Sequence, residues 1–130
     1  MSETRRGDEG QATVELALVL PLVALLLLLV LQAGLVARDQ MLVSHAAREA
    51  ARAAAVAEGD RGGAATRAAQ RAGGLDPVRL EVRSSGTDGG AAVAVHVAYR
   101  STTHVPLVGL LLPDVSLSGD AVMRAEAPGP

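Results

Sequence analysis

The chain has 130 residues, 49% of them hydrophobic and 20% charged, with one Tyr and neither Phe nor Trp, which is room for one small domain. Its 14 acidic and 12 basic residues leave a net charge of −2, so no basic field is available to hold a nucleic acid or a polyphosphate. The absence of Cys excludes disulfide scaffolds, thiolate metal centres and thiol nucleophiles.

A polar leader, residues 1–10, gives way to a stretch that meets one acid, Glu15, and then carries no charge from Leu16 to Ala37. At about 1.5 Å per residue that run spans roughly 33 Å, enough to cross a hydrocarbon core of about 30 Å. A membrane-spanning helix is therefore predicted over 11–37. The run is too long for the apolar region of a cleavable secretory signal, and its leader sets Arg5 and Arg6 against Glu3, Asp8 and Glu9. Two Arg before the span and Arg38, Arg48 and Arg52 after it leave the positive-inside rule close to a tie. Pro21 is tolerable in a membrane helix and is expected to kink it near its entry.

The junction Gly10-Gln11-Ala12-Thr13-Val14-Glu15 ends a leader in Gly and sets an acid five residues later, at the mouth of the apolar helix. RGDEGQATVELALVLPL resembles the start of the TadE-like family of tight-adherence pilus systems, and more broadly of the type IV prepilins and pseudopilins. The resemblance implies cleavage between Gly10 and Gln11 by a membrane aspartyl prepilin peptidase on the cytoplasmic side, making Glu15 the fifth mature residue. It further implies partnership with other pilin-like subunits and an inner-membrane assembly platform. The location implied is a single pass of the inner membrane with the C-terminal domain outside. Gln11 stands where major type IV pilins carry Phe, which points to a minor component.

A carboxylate costs about 2.5–3.5 kcal/mol at the centre of a membrane helix. Glu15 on one subunit could neutralise the new Gln11 amine of a neighbour and set the register of assembly. Equally, Glu15 could mark the interfacial end of the span, where negative charge suits a helix N-terminus. The alternative from another class is an uncleaved, signal-anchored extracytoplasmic binding module.

Beyond the span, RDQMLVSHAAREAARAAAVAEG is Ala-rich and lacks Pro, so the helix is predicted to continue unbroken from about Ala12 to Ala57 and to end at Gly59. Leu35, Leu42, Ala46, Ala50, Ala53 and Ala57 make a narrow stripe of mostly small side chains. Arg48 and Arg52 read as a solvated face, with Glu49 placed for a weak pair to Arg52. HAAREAARAAA also resembles the segment that follows the membrane helix in TadE-like proteins, so the resemblance covers about residues 7–57. After a turn at 59–63, ATRAAQRAGG reads as a second, shorter helix or a continuation across a break.

From Leu75 the pattern changes to alternating strand. PVRLEVRSS puts Val78, Leu80 and Val82 on one face, residues 86–90 turn, and AAVAVHVAYR alternates Val93, Val95, Val97 and Tyr99 against Ala94, His96 and Ala98. These predict an antiparallel hairpin. THVPLVGLLLPD is an apolar run too short to cross a bilayer and is expected to pack on the domain or touch a neighbour. VSLSGDAVMRAE reads as a third strand whose pairing is interrupted near Ser118-Gly119-Asp120, and APGP as a frayed end. The expected fold is α+β: a leader at 1–10, a transmembrane helix at 11–37, a helical spine and short second helix at 38–74, and a small antiparallel β domain at 75–127. A long helix carrying a roughly three-stranded sheet is pilin-like.

No catalytic constellation is legible. His45, His96 and His104 lack metal-ligand spacing, and adjacent Ser44 and His45 would face different ways on a helix. Asp88 sits in a Gly-rich turn where Asp is expected, and no phosphate-binding loop is present. The chain is read as a non-enzyme without cofactor or metal.

Overall fold

The computed structural model describes residues 5–87 and 90–125. Helix α1 runs from Arg5 to Val56, α2 from Arg61 to Arg71, strand β1 from Leu80 to Thr87, β2 from Ala92 to Ser101, a single turn of helix α3 from Val108 to Leu111, and β3 from Val115 to Arg124. The architecture is α+β: a long apolar N-terminal helix followed by a three-stranded antiparallel sheet in the order β1-β2-β3. The chain forms two compact units. One holds the helix up to Gly34 together with Thr103–Pro113; the other holds Leu35–Thr102 and the chain from Asp114 onward.

In the second unit β2 is the central strand, and its alternation is strict. Val93, Val95, Val97, Tyr99 and Ser101 are buried, whereas His96 and Arg100 are exposed. The buried row joins Val43, Ala46, Ala47, Ala50, Ala51 and Ala54 of α1, Ala65 and Ala69 of α2, and Leu117 of β3 in one core. Ala-rich helix faces let backbones approach closely, so a small domain fills its core with Tyr99 as the one aromatic in it. Two hydrogen bonds fix α1 on the sheet: Gln40 Nε2 donates to the Ser118 carbonyl at 2.9 Å, and Ser101 Oγ donates to Asp39 Oδ2 at 2.7 Å.

Helix α2 begins earlier than the sequence suggests. Asp60 is its N-cap and accepts from the Gly63 amide at 2.8 Å, so Arg61-Gly62-Gly63 form its first turn and not a loop. That bond satisfies an amide the helix cannot pair internally. Asp60→Ala is expected to cost about 1 kcal/mol, read as a lower unfolding midpoint in denaturant with an unchanged slope.

Four further expectations are corrected. Val78 is not on the strand: it lies in a 3-10 turn, Pro77–Arg79, capped by Asp76, and is 93% exposed. The third strand is not interrupted, because Ser118, Gly119 and Asp120 pair in register with Ala98, Val97 and His96. The buried face of α1 is broader than the predicted stripe, taking in Ala47, Ala51 and Ala54, while Leu35 is exposed. Glu49 and Arg52 make no ion pair among the described residues and instead line a shallow groove with His45, Ala68 and Arg71.

Gly119 explains the uninterrupted strand. A Cβ there would come within 3.1 Å of the Val43 carbonyl oxygen and 3.2 Å of the Ser44 Cα. The glycine is a point of close approach between β3 and the α1 backbone, a use of Gly in a strand distinct from a break in pairing.

Candidate functional site

The sequence-predicted site lies near the start of α1. Gly10, Gln11 and Glu15 are all exposed on the helix, and Gln11 and Glu15 stand four residues apart, hence on one face. The helix does not begin at about Ala12: it runs through the junction from Arg5. Gly10 is therefore a helical glycine, and a Cβ added to it would meet nothing within 4 Å. Glycine holds helix about 1 kcal/mol less well than Ala, so the helix is held less firmly at Gly10 than an alanine would hold it.

Downstream of Glu15 the helix is apolar on every side. Leu16, Leu18, Leu20, Leu22, Leu26, Leu27 and Val30 are all more than half exposed. Its most apolar 18-residue window has a mean hydropathy of 3.0 and is 0% buried. An apolar surface of this extent marks an interaction with lipid or protein, and a helix apolar all round is one that other matter surrounds. Pro21 lies inside α1, where it removes the amide that would pair with the Ala17 carbonyl.

The remaining candidates are scattered. His45 lies exposed on α1, and Ser44 Oγ donates to its own helix at the Gln40 carbonyl, 2.9 Å away, and so is not paired with His45. His104 is exposed in the Thr103–Pro113 segment, and Asp88 lies outside the described residues. No three His, Asp or Glu side chains come together among the described residues in a way that could hold a metal.

One pairing escaped the sequence. His96 Nδ1 and Asp120 Oδ1 are 2.6 Å apart on the open face of the sheet. Arg83 stands opposite His96 on the other side, so the three strands carry a cross-strand row of Arg83, His96 and Asp120. A side-chain hydrogen bond between directly opposed residues, here His96 and Asp120, adds modestly to sheet pairing. The row is visible only once the β2 to β3 register is known.

The family model of TadE-like proteins matches residues 10–52. No curated protein and no solved structure matches the chain. The matched segment opens at Gly10 and takes in Glu15, the exposed apolar helix and the first of the alanines that pack beneath the sheet. Over residues 10–52, then, about a third of its length, the chain is similar to TadE-like proteins.

Proposed function

We propose that the chain is a TadE-like pseudopilin or minor pilin that acts in the biogenesis of tight-adherence pili, and that a prepilin peptidase cuts it between Gly10 and Gln11. It is a substrate and a subunit, not an enzyme. The observation that carries this reading is the exposed Gly10 to Glu15 junction at the mouth of an apolar helix whose most apolar window has no buried residue, within the segment matched by the TadE-like family model. In this reading α1 crosses the inner membrane once, with the leader in the cytoplasm and the β domain outside. Its partners are the peptidase, other pilin-like subunits and the inner-membrane assembly platform.

Glu15 supplies the assembly chemistry. Cleavage creates a cationic amine at Gln11, one helical turn from Glu15. A carboxylate that costs about 2.5–3.5 kcal/mol at the bilayer centre is stabilised by pairing with the Gln11 amine of an adjacent subunit. Lateral packing of uncovered helices then gains a registering contact. Glu15→Gln keeps the shape and removes the charge, so it is expected to leave cleavage intact. The variant should lose crosslinks between the α1 helices of neighbouring subunits, scored by photocrosslinking in the membrane.

The test of the proposal itself is the intact mass and N-terminal peptide of the protein extracted from the membrane of its own host, with and without the prepilin peptidase. A chain beginning at Gln11 only when the peptidase is present is the expected result. A chain that keeps its leader in both hosts overturns the pseudopilin reading in favour of an uncleaved anchor whose β domain binds a ligand.

A further inference from the structure

The segment Thr103–Pro113 joins β2 to β3, yet it forms one compact unit with the apolar part of α1. Val105 and Val108 are buried, and the segment is stapled at both ends. Gln32 Nε2 donates a long hydrogen bond of 3.5 Å to Thr103 Oγ1, which in turn donates over 3.5 Å to the Pro113 carbonyl. Gln32 is only 5% exposed, one of the few buried polar side chains. It lies within the uncharged run, about 7–8 Å short of its end at Ala37 by the standard helical rise. The segment is thus held at a level where the helix surface is still apolar.

Its outward side chains are leucines. Leu107 is 63%, Leu110 86% and Leu111 65% exposed, and no Asp, Glu, Lys or Arg occurs between His104 and Asp114. Leu107 has a φ of +67°, a left-handed backbone that a branched side chain rarely adopts. Water offers no compensation for holding a leucine there; an apolar surrounding does. The backbone is equally suited to such a surrounding. The Gly109, Leu110 and Leu112 amides donate to the Val105, Leu107 and Val108 carbonyls at 3.2, 3.3 and 2.9 Å. These three bonds pair the Gly109, Leu110 and Leu112 amides inside the segment, which lowers the cost of bringing that backbone to a bilayer.

We propose that Thr103–Pro113 is a membrane foot: Leu107, Leu110 and Leu111 insert into the lipid at the interface where α1 leaves the bilayer, with the lipid surface itself as partner. The inference rests on the reading that α1 spans a membrane. It adds a second, non-spanning contact of the kind made by interfacial apolar segments. What favours lipid over a protein partner is continuity: the leucines extend the uncovered apolar surface of the helix in the same unit, at the level of its uncharged run.

The chain has no Trp, so single-Trp variants of the full-length protein in phosphatidylcholine–phosphatidylglycerol vesicles report each position alone. Leu110→Trp is the probe, Leu111→Trp a second in case the first disturbs the turn, Leu26→Trp the mid-span control and Val78→Trp the aqueous control. The Leu110 and Leu111 probes are expected to lose most of their emission to lipids brominated near the headgroup and to be insensitive to iodide. Leu26→Trp should respond to lipids brominated deep in the acyl chain, and Val78→Trp to iodide. If Leu26→Trp responds as expected but the foot probes are quenched by iodide, the foot is overturned and the span stands. If the foot probes respond to neither quencher, a protein surface covers them, and the lipid proposal is likewise overturned. If Leu26→Trp is itself untouched by brominated lipid, the spanning reading fails and the foot with it.

Discussion

Gly10→Ala is expected to leave the leader on the protein. In a host that expresses the prepilin peptidase, the wild-type chain should begin at Gln11 and the variant should retain residues 1–10, resolved by intact mass. Two physical effects act in the same direction. Gly10 lies inside α1, so the scissile bond must leave the helix before a peptidase can bind it in an extended form. Ala at that position holds the helix tighter by about 1 kcal/mol, which alone lowers the opened population roughly fivefold. The added methyl must also enter a peptidase site that, by the TadE-like resemblance, takes glycine.

The variant separates recognition from folding. A Cβ at Gly10 meets nothing within 4 Å, and the described side chains that follow it, from Gln11 to Leu20, are all exposed. The variant chain should therefore insert and fold as the wild type does, with the same resistance of its β domain to protease. Retention of the leader by a normally folded chain then reports the peptidase encounter alone. Processing of Gly10→Ala at the wild-type rate would sink the assignment of Gly10 as the cleavage residue.

The second large effect is expected at the opposite end of the chain. Gly119→Val should destabilise the β domain by about 3 kcal/mol, the upper part of the range for forcing added methyl groups into a packed interior. The first obstacle is backbone: the new Cβ would lie 3.1 Å from the Val43 carbonyl oxygen, 3.2 Å from the Ser44 Cα and 3.3 Å from the Val43 carbonyl carbon. A side chain could rotate away, but here a helix must shift from a strand. That shift also loosens the bond from Gln40 to the Ser118 carbonyl, one residue from the substitution.

Gly86→Val is the matched control. Gly86 lies on β1, opposite Val93, and a Cβ there has nothing within 4 Å. Its stability should stay within about 0.5 kcal/mol of wild type, as for surface changes away from special features. Denaturant unfolding in detergent, followed by the emission of Tyr99, distinguishes them: this is the one Tyr of the chain, and it is 8% exposed in the core. Equal midpoints for Gly119→Val and Gly86→Val would show that β3 does not press on α1 at Gly119.

The sequence by itself determined those features that repeat along the chain. The uncharged run from Leu16 to Ala37 defines the apolar helix because length and hydropathy are local properties. The alternation Val93, Val95, Val97, Tyr99 defines the central strand because the pleat has a period of two. The junction from Gly10 to Glu15 is legible as a motif, with its family resemblance, because all of its residues are contiguous.

What only the tertiary structure decided depends on distances between segments far apart in the chain. Gly119 reads in sequence as a break in a strand, yet Val43 lies across it, and the glycine serves close packing within an intact ladder. The buried face of α1 widens to Ala47, Ala51 and Ala54 because both sheet and α2 residues join the core, while a helical stripe anticipates one neighbour. His96 and Asp120 are 24 positions apart and meet through register alone. Thr103–Pro113 reads as a short apolar connector, and its place beside Gln32 follows from the unit it folds into. Periodicity records which way each side chain faces; only the packed chain supplies what stands opposite.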